Sequence, residues 1–312
     1  MTSTQLIEGD AAFDQLAAEW DALAARGMTN TPFQSHAYQQ AWWRNLHPEN
    51  GRLFTIAVRD TNNQLSAIAS LYLNNGALYF NGCIEETDYL DLIAPAEAAE
   101  TGWTAVFEAL TQPDFPAWQA VKLCNIPAAS PSRAILAELA EKHGLIWKET
   151  VAEVCPVISL PPTFDEYLES LDSKQRRETK RKLRRAQGGD AQFVQADANN
   201  LPQAVDDFLD LLQKSTFEKR DWLNEGRRAI FHETAQAAAE AGVLQLLFME
   251  VNGRKAATLF NFDYNNRIWV YNSGLDSEAF GQLSLGVVLT AKAIEWAIEN
   301  GRSEFDFLRG SE

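Results

Sequence analysis

No stretch of the 312 residues runs to about 18 consecutive apolar side chains, so no membrane-spanning helix is expected. The first ten residues lack the basic start and apolar core of a secretion signal. Cysteine is scarce: Cys83, Cys124 and Cys155 are odd in number and far apart. That pattern points to reduced, small buried thiols in a cytoplasmic protein. The four histidines are scattered, and no His-Glu-x-x-His or Cys-x-x-Cys spacing occurs, so no metal site is expected. Basic residues are outnumbered 27 to 43, which leaves a net charge of −16 and argues against a nucleic-acid partner.

What cationic charge there is collects in one place. Lys174 to Arg185 holds eight basic residues and one acid, Glu178, so the segment carries +7 and all other residues together −23. Asp172 or Ser173 caps a helix there, and Gly188-Gly189 ends it. Lys174, Arg177, Arg181 and Arg184/Arg185 recur at three- and four-residue steps and share a face. That face is open to three readings: a solvated helix, a clamp for phosphates of a nucleotide- or lipid-linked substrate with Arg177 and Arg181 as contacts, or a peripheral contact with acidic lipid.

Length and composition suit a globular chain of about two domains, placed at 1–160 and 161–312 with Pro161-Pro162 as the break. The first half reads as a strand, two helices and three strands over 52–59, 64–73 and 77–81. Their turns are Asn62-Asn63 and Asn74-Asn75-Gly76. A strand at 89–93, a helix at 96–110, a buried strand at 118–124, a helix at 130–143 and strands near 145–149 and 154–160 follow. Thr163-Phe-Asp-Glu166 is a capping box. After helices at 201–219 and 227–241 the three-strand pattern returns over 243–251, 255–264 and 267–274, with turns at Asn252-Gly253 and Asn265-Asn266. The offset is about 190 residues. Helix 285–300 and strand 303–308 then repeat helix 96–110 and strand 118–124. The two halves read as copies of one α/β unit, and counterparts of helix 130–143 and the strands after it would fall beyond Glu312.

A three-strand meander feeding a glycine turn and a helix is the layout of an acyl-coenzyme A site. The strand after the hairpin offers backbone groups to the pantetheine arm, and the helix N-terminus offers free N–H groups and its dipole to the pyrophosphate. Gln282, Leu283, Ser284, Leu285 and Gly286 form the expected phosphate turn. Acyl transfer to an amine needs positioned reactants, an oxyanion donor and an outlet for the amine proton. Asp306, between two phenylalanines on a buried strand, is the first candidate base, and Asp263 and Tyr271 complete the expected catalytic set, with Asp276, Glu304 and Tyr264 as further candidates. Trp42 and Trp43 occupy adjacent helix positions and cannot both face the same way, which leaves two readings: both pack in the core, or one lines a cleft where sugar or acyl chains stack.

Thr31-Pro-Phe-Gln34 with Trp42-Trp43, Thr87-Asp-Tyr-Leu-Asp91, Cys155-Pro-Val-Ile-Ser-Leu160, Ser173 through Arg185, and Phe305-Asp-Phe-Leu-Arg-Gly310 stand in this order. In them the chain resembles the GNAT-fold acetyltransferases of the CelD type, associated with cellulose biosynthesis and related to the Fem peptidoglycan aminoacyltransferases. The resemblance implies an α/β fold of tandem GNAT-like domains, each a mixed, mainly antiparallel sheet flanked by helices around an interdomain cleft. It implies acetyl-CoA or another acyl-CoA as donor substrate, no metal, and N- or O-acylation of a sugar, amino sugar or envelope or exopolysaccharide precursor. Trp43 and Tyr89 are the expected acceptor contacts beside Arg177 and Arg181. The alternatives are a Fem-like transferase using aminoacyl-tRNA and a non-catalytic polysaccharide-assembly module whose acyl site has decayed. In the family the Arg-Gly motif runs on into a final segment, and the glycine turn here lacks the usual Gly-x-Gly/Ala.

Overall fold

The computed structural model describes residues 2–83, 86–276, 278 and 280–310. The chain divides into two units, residues 1–152 and 153–312. The first unit runs β1 (Ser3–Glu8), α1 (Ala11–Ala24), α2 (His36–Leu46), β2 (Arg52–Arg59), β3 (Leu65–Asn74), β4 (Ala77–Phe80), α3 (Ala99–Leu110), β5 (Ala120–Lys122) and α4 (Ser132–Lys142). Its sheet has the order β1-β2-β3-β4-β5, antiparallel except for the parallel pair β4–β5. Phe13, Leu16, Trp20 and Leu23 of α1 pack on Leu53, Ala57 and Ile68 of the sheet. The buried Trp20 indole donates to Gln34 O at 2.9 Å, which removes the cost of burying its N–H.

The second unit runs β6 (Val157–Ser159), α5 (Phe164–Ser170), α6 (Ser173–Gly188), β7 (Ala191–Gln195), α7 (Leu201–Ser215), α8 (Phe217–Trp222), α9 (Glu225–Glu240), β8 (Leu244–Val251), β9 (Arg254–Tyr264), β10 (Arg267–Leu275), α10 (Leu285–Glu299) and β11 (Glu304–Asp306). The sheet order is β6-β11-β10-β9-β8-β7, again antiparallel except for one pair, β10–β11. α10, α6 and α5 cover one face, where Val288, Leu289 and Ile294 meet Leu247, Leu259, Ile268 and Phe305. The other face carries Phe208 and Phe231 of α7 and α9 against Phe260 of β9.

The asparagine turns explain why the two meanders match. Asn63, Asn75, Asn252, Asn265 and Asn266 all have positive φ, between 49° and 62°, and Gly76 and Gly253 continue two of these turns. Asparagine and glycine reach this region at least cost, and it joins twisted antiparallel strands tightly. In both units the third strand of the meander then leads through a helix to a short strand parallel to it.

Several expectations are corrected. Residues 89–93 form no strand; only Ile93 bridges, to Ile68, and Tyr89 adopts φ 52°. The reason is the buried Asp91 carboxylate, which must reach Thr29, Ser130 and Ser132 hydroxyls at 2.8, 2.5 and 2.5 Å and the Leu92 N–H at 2.8 Å. The strand expected at 118–124 shortens to 120–122 and is largely exposed, not buried. No strand forms at 145–149, and of 154–160 only Val157–Ser159 is a strand, paired with β11 of the second unit. The helix expected at 201–219 breaks at Thr216, whose hydroxyl accepts from Lys219 N and starts α8. Cys83 and Cys124 are not free thiols: they form a disulfide, Cα–Cα 6.0 Å, that ties the end of β4 to the end of β5. The cysteine argument for a reducing compartment falls with it. Among the described residues no helix is long and apolar enough to cross a membrane.

Burial pushes the Asp91 carboxyl above its ordinary range, against the opposing hydrogen bonds from Ser130, Ser132, Thr29 and the Leu92 N–H. A raised folded-state pKa means that the stability due to this group is complete below the unfolded value, about 3.9, and is lost as pH rises through the folded value. Urea unfolding from pH 4 upward should therefore show the native chain losing stability relative to Asp91→Asn, which has no charge to desolvate. Parallel curves for the two proteins would rule this out.

Candidate functional site

β10 is nine residues long, but β11 pairs with only its first three, Arg267–Trp269. Beyond Trp269 that edge of β10 has no strand beside it among the described residues. On the other edge the register with β9 shifts between Val270 and Asn272, so Tyr271 is the extra residue of a β-bulge. A bulge increases twist and bends the strand. Beyond Trp269 this edge of β10 therefore presents backbone groups to something other than a strand among the described residues.

The far end of β10 lies beside the N-terminus of α10, where Leu275 approaches Gly286. Gly281–Leu283 form a 3-10 turn, and Ser284 follows at φ 54°, ψ 48° before Leu285 begins the helix. A left-handed serine costs about 1 kcal/mol, so neighbours must hold it. Leu283 is buried against the core, and Arg185 of α6 donates to Gln282 O at 3.0 Å. The Ser284 side chain makes no cap bond, and α10 has no acid in its first turn. The N–H groups of Leu285, Gly286 and Val287 consequently have no intrahelical acceptor, and the dipole adds positive potential at the same point. A Cβ on Gly286 would meet only Leu275 Cδ2, at 3.8 Å, so the approach to its backbone is open. This combination can bind a phosphate. All five expected turn residues lie together here.

The expected acid–base residues do not join them. Asp263 pairs in register with Ile268 and forms a two-pronged ion pair with Arg302, at 2.6 and 2.7 Å. Seven residues of β10, about 23 Å, separate that level from Leu275. Asp306 is fully buried opposite Trp269; it accepts from Leu308 N at 2.8 Å and faces Arg267 at 3.5 Å. It organises the turn at Leu308, whose φ is 59°. Tyr271 packs its ring against Phe231, Phe260 and Phe262, with centroids 5.3–5.6 Å apart. Of the further candidates, Asp276 is ion-paired with Arg254 at 2.6 Å, Glu304 contacts Arg267, and Tyr264 O accepts from the Trp269 indole. Each carboxylate is thus engaged in structure, and burial is offset by a cation in each case.

Trp43 stacks on His47 at 4.6 Å and packs against the core of the first unit, while Trp42 is buried against Tyr72. Tyr89 O accepts from the Thr31 hydroxyl at 3.4 Å. Arg177 is exposed on α6, whereas Arg181 is tied to Glu178 at 2.5 Å and holds that carboxyl below its usual range. It is Arg185 that reaches the α10 turn, through Gln282 O.

Two groups beside this edge of β10 were not anticipated. Lys219 of α8 donates to Ser273 O at 2.9 Å and to Asn272 Oδ1 at 3.3 Å, and the Ser215 hydroxyl accepts from Leu275 N at 2.8 Å. They bond Ser273 O and Leu275 N, at the far end of the stretch that β11 does not reach. The Thr216 cap, which sets Lys219 one turn into a helix, was the available signal, but nothing local ties it to a strand more than 50 residues later. Among the described residues no group of three or more His, Cys, Asp or Glu could hold a metal.

Residues 173–312 match the family model described as acetyltransferase (GNAT) domain. The chain is similar in fold to a crystal structure of FemX, with 11% identity, a TM-score of 0.65, and coverage of 98% of this chain and 89% of that one. It is similar to the C-terminal domain of a putative lysylphosphatidylglycerol synthetase from Agrobacterium fabrum, with 10% identity, a TM-score of 0.55 and coverage of 94% and 79%. It is also similar to L-PGS from Bacillus licheniformis, with 11% identity, a TM-score of 0.53 and coverage of 96% and 75%. No curated protein matches the sequence. The chain folds as two GNAT-like domains in tandem, and the second carries the acetyltransferase match.

Proposed function

We propose that the chain is an acyltransferase whose second unit takes acetyl-CoA or another acyl-CoA. The observation that carries the reading is the meeting of the unpaired part of β10 with the uncapped N-terminus of α10 at Gly286, inside the region that matches the acetyltransferase model. In this reading the α10 N–H groups hold the pyrophosphate, and the backbone of the bulge at Val270–Asn272 lies along the pantetheine arm. A strand N–H steadies the oxyanion as the acceptor nitrogen or oxygen attacks the thioester carbonyl. The carbon–sulfur bond then breaks, the acceptor loses its proton and the thiolate gains one. With Asp263, Asp276 and Asp306 ion-paired, the proton leaves through water, and rate enhancement comes from positioning. The acceptor would be an amine or hydroxyl of a sugar, amino sugar or envelope or exopolysaccharide precursor, as in the CelD type.

The first unit offers no second donor site in this reading. Asp91 in the segment before α3 is committed to Thr29, Ser130 and Ser132, and the helix start carries Glu97 and Glu100, acids that repel phosphate. Calorimetric titration of the full chain with acetyl-CoA should therefore saturate at one ligand per chain. No heat at millimolar ligand, or two equivalents bound, would overturn the proposal. Acyl transfer from charged tRNA in its place would favour the Fem-like alternative.

A further inference from the structure

α6 is held to the second unit along one side. Leu183 and the buried Ala186 turn inward to the core it shares with α10. At 100° per residue the opposite side presents Lys174, Arg177, Arg181, Arg184 and Arg185, with Lys180 flanking them. Lys174, Arg177, Lys180, Arg184 and Arg185 are exposed. Glu178 is the single acid of the helix, and Arg181 and Lys182 already neutralise it, at 2.5 and 3.8 Å. From Lys174 to Arg185 the row is about 17 Å long. The helix carries no aromatic residue.

We propose that this face of α6 is a docking surface for a bilayer containing anionic lipid, bound by charge without insertion. The shape of the cation array decides the partner. A single phosphate is bound by donors that converge on a concave site, whereas these side chains diverge from a convex helix in a row. A row of that kind matches a plane of many headgroups. Stacking on bases, the usual means of holding single strands, needs aromatic side chains that α6 lacks. A flexible polyanion extending past the helix would also meet a chain carrying −23 outside this segment. A flat bilayer touches one ridge at a time, and repulsion from acids more than a Debye length away, about 8 Å, is screened. Exposed acids on α5, Asp165, Glu166 and Glu169, together with the capping Asp172, confine the contact to α6 itself. Each cation near such a surface strengthens binding by about fivefold. The proposal does not depend on the donor reading, and its test substitutes Arg177 and Arg184, not Arg185, which holds the α10 turn.

The test is co-sedimentation of the full chain with vesicles of phosphatidylcholine, and of phosphatidylcholine with about 30% phosphatidylglycerol, at low and high salt. Binding is expected only to the anionic vesicles, and it should fade at high salt. Arg177→Glu with Arg184→Glu should lower the affinity about a hundredfold or more, and Arg177→Gln with Arg184→Gln by a smaller factor. Both pairs project from the exposed side, so circular dichroism should report the native fold; should the glutamate pair misfold, the glutamine pair still reads the effect. No binding to anionic vesicles at low salt, binding that these substitutions leave unchanged, or binding to RNA with none to vesicles would each overturn the proposal.

Discussion

Gly274→Ala should destabilise the second unit by about 3 kcal/mol, lowering its thermal midpoint by about 6–12 °C. A Cβ at this position would stand 2.6 Å from Leu212 N, 2.7 Å from the Leu211 carbonyl carbon and 2.9 Å from Thr258 Cγ2. Two of those atoms are backbone of α7, so no rotamer change relieves the clash. Either α7 lifts from β10 or β10 moves, and both disturb the aromatic layer of Phe208, Phe231 and Phe260. Gly188→Ala is the control, because a Cβ there meets nothing within 4 Å and alanine favours the helix. Equal midpoints for the two variants would show that the close approach of α7 to β10 does not matter to stability.

Gly286→Glu should separate donor binding from stability. The new side chain has room, since only Leu275 Cδ2 lies near. A carboxylate in the first turn of α10 favours the helix dipole by about 0.3–1 kcal/mol, and replacing glycine in a helix adds a similar amount. The thermal midpoint should hold or rise. The same carboxylate would sit where the proposed pyrophosphate binds, so acetyl-CoA affinity should fall at least about a hundredfold, roughly 2.7 kcal/mol. Unchanged affinity by calorimetry would remove Gly286 from the donor site.

What could be read in the sequence was whatever local chemistry determines. The asparagine turns declared two meanders because few residues accept positive φ. The glycine turn and apolar helix stripe located α10, and Asp172 capped α6 where expected, accepting from Lys174 N and Gln175 N. What failed depended on distant partners. Residues 89–93 have a strand-like pattern, but Asp91 is committed to hydroxyls 39, 41 and 62 residues away. Cys83 and Cys124 are 41 residues apart and meet because β4 and β5 run side by side. The ion pairs of Asp263 and Asp276 could not be read locally either, since Arg302 and Arg254 stand 39 and 22 residues from them. Arg185 is 97 residues from Gln282, and only the packing of α6 on α10 brings them together.

β6 has a consequence for how such chains can be taken apart and recombined. It precedes the acetyltransferase match by more than a dozen residues, yet it forms the outer strand of that unit's sheet. Its zipper with β11 extends past the strand itself: Leu160 N bonds Ser303 O, Phe307 N bonds Pro156 O and Gly310 N bonds Val154 O. A fragment begun at Ser173 would leave β11 as a bare edge, the kind of surface on which strands of other molecules add. Exchange of whole modules between relatives is therefore conservative only at a crossover before residue 153, so the connecting segment is inherited with the transferase half and not with the half that precedes it.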